Sequence, residues 1–143
     1  MIEYQKILDK NMLNVLKDIL KNIKDNGLSN NNHLYITFLA NHKKVELPNW
    51  LKQKYPQEMT IIIQYEYYDL EINKNDFSIT LSFGDIKTNL KINYNAIVSF
   101  ADPSANFGLI LQKSNMQNKV DKKLENNKSK KDNIINFSNY KKN

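Results

Sequence analysis

Side chains able to do acid–base, metal or nucleophilic chemistry are few in this chain and badly placed for it. His33 and His42 are the only histidines among 143 residues, and no pair of acids stands near them at ligand spacing, so no metal centre is indicated. Ser78, Ser82 and Ser99 lack the Gly-x-Ser-x-Gly setting of an activated hydroxyl. Glu66, Asp69 and Glu71 cluster in sequence, but on an extended strand Glu66 would face away from the other two, which defeats paired acid–base work. Three glycines supply no phosphate-cradling loop, and the absence of cysteine removes thiol, zinc-thiolate and disulfide chemistry. Nothing reads as catalytic and no cofactor is expected. A binding protein is the class that remains.

The elements that would carry a binding surface follow from hydrophobic spacing. Ile7, Leu8, Met12, Val15, Leu16, Ile19, Leu20 and Ile23 recur at steps of three and four before Asn26-Gly27, which predicts an amphipathic helix over 4–25. Its wide apolar stripe has enough surface for its own domain and a second copy. From Leu34 the period becomes two. Strands are expected over 34–39, over 59–68 with Ile62, Gln64 and Glu66 on one face, and over 77–83, where Ser78, Thr80 and Ser82 alternate with apolar residues. A short edge-like piece covers 43–48 and a helical turn 50–55. Asn73-Lys74-Asn75-Asp76 and Gly84-Asp85 read as hairpin turns. Residues 88–92 form a further strand, 94–100 fit either a helical turn or a strand, and 107–111 close the series. One helix followed by short strands at hairpin spacing predicts a mainly β fold, a small, partly open barrel or sandwich.

Charge divides the chain. Residues 1–111 carry 12 lysines and 12 acids, whereas 112–143 carry 9 lysines and 3 acids, so the whole net charge of +6 lies in the tail. Every basic residue is lysine, and without arginine's planar fork specific nucleic-acid readout is disfavoured. The longest apolar runs are a few residues, and the start lacks an export signal, so a cytoplasmic protein with no membrane segment is expected. Residues 112–133 are too polar to offset their ordering entropy and read as a disordered linker. Then Ile134, Ile135, Phe137, Tyr140, Lys141 and Lys142 restore an apolar–aromatic segment with a basic end, which reads as a docking peptide on a tether. In the folded part, the strip made by Ser78, Thr80 and Ser82 beside Ile62, Gln64 and Glu66 offers hydroxyl, amide and apolar groups to an extended peptide.

Several motifs carry a family resemblance. His33-Leu34-Tyr35-Ile36-Thr37-Phe38, Tyr55-Pro56-Gln57-Glu58-Met59-Thr60-Ile61-Ile62-Ile63-Gln64, Asp69-Leu70, Phe77-Ser78-Ile79-Thr80-Leu81-Ser82-Phe83-Gly84 and Phe100-Ala101-Asp102-Pro103-Ser104 occur in the order of the SspB (stringent starvation protein B) family. The chain most resembles the divergent branch with a Tyr-Pro-x-Glu-Met-Thr-Ile motif, and residues 134–142 are similar to that branch's terminal segment. They depart from it in having Tyr140 for phenylalanine and Lys141 for arginine. The resemblance implies a dimerising N-terminal helix, with Leu8, Met12, Val15, Leu16 and Ile19 as its contacts, followed by a Sm/SH3-like partly open β barrel over 33–111. It also implies an adaptor for the ClpXP protease. The folded domain, 1–111, would hold the ssrA tag of stalled translation products, and 134–143 would dock on the ClpX unfoldase. Gln64 matches a glutamine of the tag groove; Ile62, Glu66, Thr80 and Ser82 are set beside it by the alternation. The alternative from another class is a Sm-like nucleic-acid-binding module with a basic tail.

Overall fold

The computed structural model describes residues 1–29 and 31–111. The expected linker over 112–133 and the docking residues Ile134, Ile135, Phe137, Tyr140, Lys141 and Lys142 lie outside the described residues. Helix α1 spans Tyr4–Asn26. It stops where Gly27 takes a φ of 78° that a side chain would strain, with its N–H donating to the Ile23 carbonyl at 2.7 Å. Seven strands follow: β1 (Leu34–Leu39), β2 (Glu58–Ile63), β3 (Tyr68–Ile72), β4 (Asp76–Phe83), β5 (Ile86–Asn93), β6 (Ile97–Asp102) and β7 (Phe107–Ile110), with a short helix α2 (Asn49–Lys54) between β1 and β2.

The strands form two antiparallel sheets, β2-β1-β6-β7 and β3-β4-β5, which stay open. The fold is thus mainly β with one long N-terminal helix, as the spacing predicts. Alternation explains the core: Leu34, Ile36 and Phe38 of β1, Met59, Ile61 and Ile63 of β2, and Phe77, Ile79 and Leu81 of β4 all point inward and are buried. Strand β6, paired on both edges by β1 and β7, is buried along nearly its whole length. Helix α1 closes the core with Met12, Leu13, Leu16, Leu20 and Ile23 and is tied to the β3 side by the Tyr67 hydroxyl, which donates to the Ile23 carbonyl at 3.2 Å.

One expectation is corrected. The predicted strand over 59–68 is two strands in different sheets, because β2 ends at Ile63 and β3 begins at Tyr68. Buried Ile63 anchors one sheet and buried Leu70 the other, so the chain must turn between them although its residues remain strand-formers. The crossing ends in an irregular start to β3, with Asp69 at a φ of 52° and a register shift between Tyr68 and Glu71. The hairpin partner of β4 is accordingly β3, through Glu71↔Ser78 and Ile72↔Phe77, rather than the 59–68 segment. The turn at 73–76 is as expected, with the Asn73 N–H donating to the Asp76 carbonyl at 2.8 Å. At 94–100 both readings hold in succession: a 3-10 turn over Tyr94–Ala96, then β6.

Candidate functional site

Strand β4 is the middle of its sheet, and its outward residues Ser78, Thr80 and Ser82 therefore meet neighbours on both sides. In register they lie beside Lys91, Asn89 and Lys87 of β5, while Thr80 also faces Tyr68 of β3. The Asn89 amide donates to the Thr80 hydroxyl at 3.0 Å. The Lys87 ammonium sits 4.1 Å from the centre of the Tyr68 ring, and the Tyr68 hydroxyl donates to a Glu66 carboxylate oxygen at 3.2 Å. Glu66, Thr80 and Ser82 are thus collected on one outer face around Tyr68. That face carries donors, acceptors, the acids Glu66 and Glu71, the latter opposite Ser78, and three lysine-or-amide positions on β5, which suits a polar, extended ligand.

Ile62 and Gln64 are placed elsewhere. Ile62 lies on the outer face of the other sheet opposite Tyr35, and Gln64 is half-buried just past the end of β2. Among the described residues no hydrogen bond or ring contact joins either of them to the Tyr68 face.

The free edge of β5 was not foreseen from the sequence. Lys91 exchanges both of its main-chain hydrogen bonds with Glu46, N–H to carbonyl at 3.1 Å and carbonyl from N–H at 2.8 Å, so its polar backbone groups point away from β4. By antiparallel alternation the same holds for Asn89 and Lys87. Beyond Glu46 no strand continues, and among the described residues these two main-chain N–H and two C=O groups have no backbone partner. A groove of about 430 Å³ runs along this edge, bounded by Leu47, Pro48 and Trp50 opposite Ile86 and Lys87. Trp50 is 40% exposed and packs edge-on against Phe83, ring centres 6.1 Å apart, while Ile86 is 56% exposed. Lys87 and Lys91 against Glu46 leave the groove net positive. The groove therefore combines an unpaired strand edge, an apolar anchor and a positive rim. No local signal marks it: the Gly84-Asp85 turn, with Gly84 at a φ of 66°, makes the two-residue hairpin of β4 and β5 but does not report whether β5 has an outer neighbour.

On α1 the expected partner-facing residues divide. Met12 and Leu16 belong to the chain's own core, whereas Leu8 at 51% and Val15 at 39% are exposed, together with Ile7; Ile19 is half-buried. A groove of about 500 Å³ lies beside this face, lined by Val15, Ile19, Leu28 and Phe107 among others.

The segment Asp102-Pro103-Ser104 is a local support. Asp102 accepts from the Ser104 N–H at 3.1 Å and from its hydroxyl at 2.6 Å, capping a 3-10 turn, and from the Asn32 amide at 2.8 Å. Burial pushes its carboxyl up, but these bonds and the His33 backbone N–H outweigh burial and hold it below the usual value. The described residues contain no group of three or more metal-ligating side chains and no helix long and apolar enough to cross a membrane.

No curated protein sequence matches the chain. The family model described as stringent starvation protein B matches residues 7–143, from the first turn of α1 to the last residue, and the chain belongs to the SspB family.

Proposed function

We propose that this chain is an adaptor that binds ssrA degradation tags and delivers the tagged proteins to the ClpXP protease. Family membership supports the adaptor role, and the observation that carries tag binding is the unpaired edge of β5 beside its groove. A tag in extended form adds a strand there: the main-chain groups of Lys87 and Asn89 take up to four hydrogen bonds, Trp50 and Ile86 hold an apolar side chain, and Lys87 and Lys91 meet acidic or polar ones. The outer face with Glu66, Thr80 and Ser82 extends the contact surface from the same strands. Ile62 and Gln64 then touch the tag only where it runs on toward the sheet of β2, which makes Gln64 the decisive residue to vary.

Two further parts complete the adaptor. The exposed Leu8, Val15 and Ile7 on α1 pair two copies, with Met12, Leu16 and Ile19 supporting the helix from below. The segment with Ile134, Ile135, Phe137, Tyr140, Lys141 and Lys142 docks on ClpX; the family match runs through it. If the 22 polar residues 112–133 act as the linker their composition predicts, they would span roughly 25 Å on average, enough for substrate and unfoldase to be held at once, so that weak separate contacts would suffice.

The test is fluorescence anisotropy of a labelled ssrA-tag peptide titrated with the full chain, with Trp50→Ala and Gln64→Ala, at two salt concentrations. Saturable binding weakened by Trp50→Ala and only modestly dependent on salt supports the edge site. Loss on Gln64→Ala alone moves the tag to the other sheet. No binding by the folded protein removes the tag-receptor reading. Deleting residues 134–143 leaves tag binding unchanged and abolishes the stimulation of degradation; undiminished stimulation would refute the docking role.

A further inference from the structure

On the flank of α1 opposite the exposed Leu8 and Val15, the helix carries Lys10, Asn14 and Lys17 within two turns. They border a concavity of about 300 Å³ closed from the other side by Lys44, Asn75 and the turn at Tyr94. Three lysines therefore line one small volume in a folded part whose lysines and acids are equal in number. None of the three joins either ion pair formed among the described residues, Lys6–Glu3 and Lys24–Glu71, and no acid lines the concavity. Like charges placed this way repel one another unless an anion sits between them.

A second observation comes from Tyr94. It is buried at 4% exposure, lines the same concavity, and its hydroxyl is the buried side-chain polar atom left without a hydrogen-bond partner among the described residues. Such an orphan costs free energy and marks a place where an acceptor is missing. Burial first, and then the Asp76 carboxylate, push its phenol up to about 12, so it stays a donor at any physiological pH. Asp76 itself is drawn toward the hairpin turn, accepting from the Asn73 amide at 2.9 Å. The Lys17 ammonium lies 4.7 Å from the centre of the Tyr94 ring, which brings a positive charge next to that side chain.

We propose that this concavity binds a compact multivalent oxyanion of the phosphate class, held by Lys10, Lys17 and Lys44, with the Asn14 and Asn75 amides and the Tyr94 hydroxyl as further donors. Compactness follows from the volume, which takes a phosphate chain but not a length of extended peptide. Multivalency follows from three lysines without a counter-charge, since lysine binds phosphate as a point charge. Phosphate of this kind comes free, as pyrophosphate, or as the chain of a nucleoside triphosphate.

The test is a 15N NMR titration of the full chain with sodium pyrophosphate, with adenosine triphosphate, and with sodium chloride at matched ionic strength. The expected result is saturable shifts at the side-chain amides of Asn14 and Asn75 and at the backbone of 93–95 with both phosphates and not with chloride. Equal affinities for the two assign recognition to the diphosphate unit they share; tighter adenosine triphosphate binding assigns it to the triphosphate form. Lys17→Gln weakens binding up to about fivefold, as for one exposed charge pair, and Lys10→Gln with Lys17→Gln and Lys44→Gln removes the saturable shifts. Shifts matched by chloride, centred on the lysines of 112–143, or undiminished in the triple variant overturn the proposal. So does a heptaglutamate peptide that displaces pyrophosphate at lower concentration.

Discussion

The edge of β5 permits a perturbation that touches the proposed ligand and spares the fold. Asn89 sends its N–H outward, as the Glu46–Lys91 bridge two residues away requires, while Leu90 sends its N–H to β4. Asn89→Pro therefore deletes a donor that the folded chain does not use, on an edge where proline is tolerated, whereas Leu90→Pro breaks the ladder to β4. The side-chain bond from Asn89 to Thr80 is exposed and is controlled for by Asn89→Ala. One peptide hydrogen bond contributes about 0.5–1.5 kcal/mol net, which is about 2- to 13-fold in affinity. By anisotropy Asn89→Pro should lose that much or more relative to Asn89→Ala, with a denaturation midpoint close to that of Asn89→Ala. The reciprocal experiment moves an N-methyl group along the tag peptide. Strand addition makes alternate positions sensitive and the intervening ones silent, because only every second residue turns its backbone to the edge. Wild-type affinity in Asn89→Pro, or an N-methyl scan without a period of two, would refute the strand-addition geometry even if the tag binds.

On α1, Leu16→Ala should cost about 2–5 kcal/mol in chemical denaturation, because Leu16 is 0% exposed in the core. Leu8→Ala, at 51% exposure, should leave that value within about 0.5 kcal/mol and instead shift sedimentation toward monomer; an unshifted dimer would place the partner surface elsewhere. Asp102 is held below the usual carboxyl value, so it adds stability that is fully present above the unfolded carboxyl value of about 4 and is lost as pH falls through its lowered folded value. Asp102→Asn should therefore be less stable than the parent near neutrality and converge on it in acid, read as denaturation midpoints at several pH values; a gap that is constant with pH would deny the carboxylate its role.

What the letters carry and what they hide is seen by comparing β4 with the crossing at 64–67. In β4 each position has a local reason: apolar residues alternate with hydroxyls, and turn residues close both ends, so strand, face and hairpins are all legible. At 64–67 the local preferences stay extended through Tyr65, Glu66, Tyr67 and Tyr68 while the chain passes from one sheet to the other, a change set only by where Ile63 and Leu70 must be buried. That non-local constraint is why Glu66, Thr80 and Ser82 come together as the alternation implies while Ile62 and Gln64 do not join them. The same cause hides the edge of β5. Alternation reports which side a residue faces, Thr88, Leu90 and Ile92 inward and Lys87, Asn89 and Lys91 outward, but not whether a strand lies alongside. That depends on Glu46, forty-five residues before Lys91 in the chain, making a single bridge and no more. A ligand that completes a sheet is recognised by this missing neighbour, and a missing neighbour leaves no residue type at the site to be read. Trp50 is the nearest thing to a local mark: a large apolar side chain packed edge-on against Phe83 yet left 40% exposed beside an open edge, where an incoming strand would cover the rest.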